Sequence, residues 1–166
     1  MDFSDVKVIR ELAAQVAEIA ALPVQEEKRR LWRKLNGLKP ERPMVMIDQV
    51  CWNEMEIGDE LSLRCQDPEC RGYEEILRQT LFQWKHFRVD MVVEPFFRVP
   101  MAITNTGFGI LPLEEIAVMD ATNSVVGHHY NNQFQTLEDL EKVKIPQIIH
   151  DPRETERRLE VAHRLF

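Results

Sequence analysis

The sequence predicts an α/β fold built on parallel strands. Three observations point to it: the short apolar runs Met44-Val45-Met46-Ile47-Asp48 and Asp90-Met91-Val92-Val93-Glu94, each ending in a carboxylate, and one long amphipathic segment between them. Parallel strands buried on both faces read as nearly continuous Val, Ile and Met runs. Polar residues at their C-terminal ends are where such folds place chemistry. The order strand, helix, strand calls for a parallel pairing with a right-handed crossover. Two such strands cannot satisfy their own edges, so the expectation is the opening part of a larger sheet.

Taken in order, the elements begin with Ser4 to Leu22, where Val8, Ile9, Leu12, Ala13, Val16, Ile19 and Ala20 recur every three or four residues and predict an amphipathic helix. Gln25 to Asn36 predicts a second helix around Leu31, Trp32 and Leu35, with Gly37 placed for a left-handed C-terminal cap. Pro40 and Pro43 force extended chain before the first strand, so residues 1–40 read as an N-terminal helical extension. Asp67-Pro68 is a helix start, with Asp as N-cap and Pro in the first turn. The helix it opens presents Tyr73, Ile76, Leu77, Thr80, Leu81 and Trp84 on one face. Beyond Glu94, Ile116 to Asp120 and Ser124 to Tyr130 predict a hairpin across Ala121-Thr122-Asn123. Thr136 to Asp139 reads as a capping box. Asp151-Pro152 opens a last helix whose pattern runs to Phe166 without a C-terminal cap.

Composition narrows the function classes. With 166 residues, 44% hydrophobic and 30% charged, the chain can bury a core. A net charge of −7 argues against a nucleic-acid partner, which needs clustered Lys and Arg. The one basic cluster, Lys28-Arg29-Arg30 with Arg33-Lys34, lies beside Glu26 and Glu27 and reads as a solvated helix face. The first ten residues carry two aspartates and no apolar leader core, no run is long enough to cross a bilayer, and three cysteines do not make a disulfide framework. A cytoplasmic protein with no membrane partner is expected.

Among the candidate residues, Asp48 and Glu94 come first: at parallel strand ends both carboxylates point toward one site, where they can share a ligand, a proton or a metal. The plainer alternative is that each caps a loop or pairs with a nearby Arg. Trp52 and Trp32 suit packing or stacking. His128 and His129 are adjacent on a predicted strand and face opposite ways, so at most one joins a given site. Cys65 and Cys70 lack a second pair at zinc spacing, and Gly107-Phe108-Gly109 is a lone G-x-G outside a strand-to-helix context. It reads as a loop over a site. No nucleophile elbow or Ser/His/Asp order is present. A glycosidase pair at Asp48 and Glu94 lacks a recognisable set of sugar-binding aromatics.

The stretch Arg42-Pro43-Met44-Val45-Met46-Ile47-Asp48-Gln49, with Asp90-Met91-Val92-Val93-Glu94-Pro95 and Thr106-Gly107-Phe108-Gly109, resembles the uroporphyrinogen decarboxylase-like superfamily from about Leu31 onward. The resemblance is nearest to longer members beside the cobalamin-dependent methyltransferases. It implies a (β/α)₈ barrel, a fold of about 250 residues, of which residues 41–166 would be the first part. With it, Asp48 and Glu94 are the expected catalytic pair, and Gln49, which matches the family motif, is expected with Trp52, Phe108 and His129 to contact the substrate. Corrinoid and zinc are the implied cofactors, and a small-molecule substrate or a corrinoid protein the implied partner; a homo-oligomer is the other association expected.

The departures decide between activities. Porphyrin decarboxylases of the superfamily carry an Arg-Gln-Ala-Gly-Arg segment after the first strand, whose arginines pair with substrate carboxylates. Here the segment reads Asp48-Gln49-Val50-Cys51-Trp52, so Gln49 matches and both arginines are replaced. A polyanionic porphyrin would meet a carboxylate in place of a guanidinium. The methyltransferase branch carries a His-x-Cys zinc pair that does not occur here. The expectation is therefore the N-terminal portion of an enzyme of corrinoid-linked methyl transfer, with porphyrin carboxy-lyase as the first alternative. The second is a non-catalytic fragment that binds a partner chain.

Overall fold

The computed structural model describes residues 2–55, 58–119 and 126–166. It divides into two compact units, residues 1–98 with 161–166, and residues 99–160.

The first unit is helical. Helix α1 (Phe3–Ala20) and helix α2 (Pro23–Asn36) lie where the apolar spacing places them. Helix α3 (Pro68–His86) starts at Asp67, whose carboxylate accepts from the Glu69 and Cys70 amides. The core joins Ile9 and Leu12 of α1 to Cys70 and Leu77 of α3, with Cys65 and, from the end of helix α4 (Pro152–Leu165), Val161 and Leu165. Burial of Cys65 and Cys70 pushes their thiols up to about 12 and about 11. The α4 terminus, which carries no cap signal of its own, is capped from α1: Arg10 donates to the Leu165 and Arg164 carbonyls at 3.1 and 3.0 Å, a cation where the helix dipole favours one.

The partial (β/α)₈ barrel is not formed: the described residues contain no parallel strand pair, and neither Met44–Asp48 nor Asp90–Glu94 is a strand. The reason lies in where their backbone groups find partners. The two runs do meet, because the Asp90 amide donates to the Val45 carbonyl at 2.9 Å, but this is one rung and not a ladder. Helix α2 supplies most of the rest. Lys28 Nζ donates to the Val89 and Met91 carbonyls, Trp32 Nε1 to Asp90 O at 2.7 Å and Arg29 to Val93 O, while Gln25 Oε1 accepts from the Val93 amide. Every backbone polar group removed from water needs such a partner. Here side chains at i, i+3, i+4 and i+7 of one helix stand where a neighbouring strand would.

The basic cluster of α2 is accordingly not one solvated face. Lys28 and Arg29 turn to the extended segment, and burial lowers the Lys28 ammonium below its usual range. Arg30 pairs with Glu27 and Glu41, and Lys34 also reaches Glu41. Gly37 does not take the left-handed conformation; Leu38 does, at φ 57°, and the Lys39 amide closes the turn on Lys34 O. The inward face of α3 is also rotated from the expected one, burying Cys70, Glu74, Leu77, Arg78 and Phe82 and leaving Ile76 half exposed.

The second unit holds two separate antiparallel pairs. Strand β1 (Ile103–Asn105) pairs with β4 (Ile148–His150), and β2 (Glu114–Ala117) with β3 (Gly127–Tyr130). The second pair is the expected hairpin, with its predicted turn outside the described residues. Thr136 and Asp139 form the expected box, opening a 3₁₀ turn at Leu137–Lys142. Ala102 is the sole buried residue of this unit among those described.

Glu74 is fully buried and accepts from the Arg64 and Cys65 amides and from Arg78 Nε at 2.7 Å. Glu74→Ala leaves these donors unpaired and should cost about 3–5 kcal/mol, read from the urea midpoint of the intact chain. Native-state alkylation followed by mass spectrometry should label exposed Cys51 and spare Cys65 and Cys70. Prompt labelling of either buried thiol would contradict the packing described.

Candidate functional site

The first unit contains an open cavity of about 820 Å³. Its walls come from Val16 of α1, from the α2 residues Arg29, Trp32, Arg33 and Asn36, from Ile76, Leu77, Thr80 and Gln83 of α3, and from Met46, Ile47, residues 91–94 and residues 96–98. This size suits a small-molecule site. Residues 46–47 and the 91–98 stretch thus meet at one place, and three side chains fix them there.

The principal clamp is Asp90. Its carboxylate accepts both Arg42 guanidinium nitrogens, at 2.8 and 2.6 Å, and the Val45 amide at 2.9 Å. The Arg42 hydrogen bonds, with that of Val45, hold the Asp90 carboxyl down to about 2 against the opposing effect of burial. Gln83 Nε2 donates to Ile47 O at 3.2 Å, which anchors the other run to α3. Arg29 then reaches past Val93 O to Glu94, with 3.1 Å between Arg29 Nη2 and Glu94 Oε2. Glu94 lines the cavity as an ion-paired, half-buried carboxylate.

Of the residues expected at the site, Glu94 is in the cavity wall, whereas Asp48 and Gln49 are exposed and do not line it. Trp52 sits in a 3₁₀ turn (Trp52–Glu54) with its ring edge on Phe82, centroids 6.0 Å apart, which is a packing role. Phe108 and His129 belong to the second unit. Phe108 is exposed at the tip of a turn in which Lys144 N donates to Phe108 O at 2.7 Å. Gly107 and Gly109 have φ of 66° and 77°, and a Cβ on Gly109 would lie 2.6 Å from Lys144 Cγ, so both glycines answer to backbone geometry. His129 is exposed on β3 opposite Glu115, while His128, on the other face, bonds Glu114 at 2.8 Å and stacks on Tyr130.

Sequence reasoning missed Arg29, Arg42, Gln83 and the clamping role of Asp90. Arg42 and Asp90 stand 48 positions apart, and no spacing rule couples them. For zinc, the described residues contain no group of three His, Cys, Asp or Glu side chains that could hold an ion. With the His-x-Cys pair also lacking, the residues present do not fit that cofactor. No family model, no curated protein and no solved structure matches this chain.

The Asp90 clamp has a pH signature. Because its folded-state pKa lies below the ordinary aspartate value of about 3.9, its stabilisation is complete above that value and is lost as pH falls toward 2. Urea midpoints measured between pH 5 and pH 2.5 should therefore decline, and less steeply in Asp90→Asn, which starts from a lower stability. Parallel declines in both proteins would remove Asp90 from the account.

Proposed function

We propose that the chain is the N-terminal portion of an enzyme of the uroporphyrinogen decarboxylase-like kind that acts in corrinoid-linked methyl transfer. One observation supports this reading above the others: Arg42–Gln49 and Asp90–Pro95, two of the three stretches that carry the resemblance, lie side by side through Val45 and Asp90 and border one cavity with a fixed carboxylate at its wall. Glu94, held by Arg29, is the group we assign to orienting the methyl acceptor by a hydrogen bond. Asp48 receives no role, since it does not line the cavity. No step is assigned to zinc.

Porphyrin decarboxylation is the less favoured chemistry. Asp48 and Trp52 stand where that activity uses arginines, and losing two charge-assisted pairs, each worth roughly 1.5–3 kcal/mol, slows the reaction by several orders of magnitude. The full-length protein should give no coproporphyrinogen under anaerobic conditions, and should methylate a thiol from methylcobalamin. Efficient decarboxylation, or no methyl transfer with a panel of thiols and corrinoids, would overturn the reading.

A second reading, of a fragment that binds a partner chain, draws on the second unit. All its strand residues are exposed, and Leu111, Met119, Leu137 and Ile145 are exposed by 83, 91, 82 and 92%. Apolar exposure on this scale supports a docking role for the unit. The same unit carries ten Asp and Glu against five Lys and Arg, so a second copy would be repelled and the partner that fits is an apolar chain with basic flanks. Sedimentation of the chain alone should give a monomer, and a stable dimer would count against a basic partner.

A further inference from the structure

The cavity of the first unit departs from the charge of the protein around it. The chain is acidic, at −7, yet the cavity wall carries three guanidinium groups, Arg29, Arg33 and Arg98, against the single carboxylate of Glu94. Glu94 is already neutralised by Arg29, and Arg33 pairs at 3.2 Å with Glu26, which is not part of the wall. Arg98 has no carboxylate partner among the described residues. It lies over the ring of Phe96, with Cζ 5.5 Å from the centroid, and Phe96 itself is 56% exposed. The remaining wall is mainly apolar, with Met46, Ile76, Met91 and Val92 offering surface that no described side chain covers.

We infer that this cavity binds an organic acid: a ligand with a flat or branched apolar body and one carboxylate received by Arg98. The chemistry follows from the parts. Apolar walls reward burial of a hydrocarbon body, a few placed polar groups fix orientation, and a guanidinium matches a carboxylate with two parallel N–H···O bonds. Phe96 holds the guanidinium by a cation–π contact, Cζ 5.5 Å from its centroid. A neutral ligand of the same shape would leave Arg98 without a partner. The inference concerns binding and does not rest on the methyl-transfer reading, so failure of either leaves the other to be judged by its own assay.

The test uses 1-pyrenebutyrate and its neutral counterpart 1-pyrenebutanol as fluorescent probes of the intact chain. Pyrene also adheres to exposed apolar surface elsewhere, so the readout is the preference for acid over alcohol. The acid should bind about tenfold or more tighter than the alcohol, the difference expected of one charge-assisted pair. Arg98→Gln should abolish that preference while leaving the alcohol's affinity unchanged. Ile76→Trp, which fills the cavity from a half-exposed position, should weaken both probes, and circular dichroism of each variant separates loss of binding from loss of fold. Equal affinity for the two probes, a preference that survives Arg98→Gln, or binding indifferent to Ile76→Trp would each overturn the inference.

Discussion

The first unit depends on one constraint: long stretches of chain with no sheet to join must still find partners for their backbone N–H and C=O groups. Buried side chains provide them. Asp5 accepts from the Gln66 and Asp67 amides, Glu74 from those of Arg64 and Cys65, Asp90 from that of Val45, and Gln25 from that of Val93. Asp5, Gln25, Glu74 and Asp90 are buried, and no buried side-chain polar atom among the described residues lacks a partner. A carboxylate taken from water is costly unless paired and hydrogen-bonded. Glu74 shows the balance: burial alone would raise its pKa, yet the Cys65, Arg64 and Arg78 donors outweigh that and hold it low.

The same constraint builds the cavity. Because α2 reaches the 89–94 segment through the ends of long side chains, helix and segment stand apart by the length of a Lys, Arg or Trp, where directly packed elements would close up. Lys28 crosses that gap with its ammonium 4.9 Å from the centroid of the Trp84 ring. The polar heads are consumed by the backbone, and the apolar edges of Met91, Val92 and Trp32 are left to face the space. Aromatic packing completes the unit elsewhere, where Tyr73, Phe97 and Phe166 cluster with centroids 5.0 to 5.7 Å apart.

The second unit follows different physics. Its strands are three or four residues long and occur in pairs, too little to bury a face. Its order comes from side-chain caps: the Thr136–Asp139 box and the Asn105 side chain accepting from Gly107 N act locally, and Thr155 accepts from the distant Ala102 amide. These satisfy polar groups without removing hydrocarbon from water, which is why its Ile and Leu side chains remain exposed.

What the sequence determined by itself is local. The apolar period placed α1 and α2, the Asp67-Pro68 and Asp151-Pro152 pairs opened α3 and α4, and the two short runs on either side of Ala121-Thr122-Asn123 gave the hairpin, because caps, proline geometry and short runs between turn residues act over a few residues. The tertiary structure decided everything that needed a distant partner. An apolar run such as Met91-Val92-Val93 has the same composition whether a strand or a row of helix side chains satisfies its backbone, so periodicity alone read it as a strand. Lys28 and Arg29 look solvated at helical spacing, and Trp32 looks like helix packing, until residues 89–94 arrive against them. Glu94 was legible as a candidate, but Arg42 with Asp90 and Arg10 with the end of α4 are pairs 48 and 155 residues apart, and only folding brings such charges to the groups they hold.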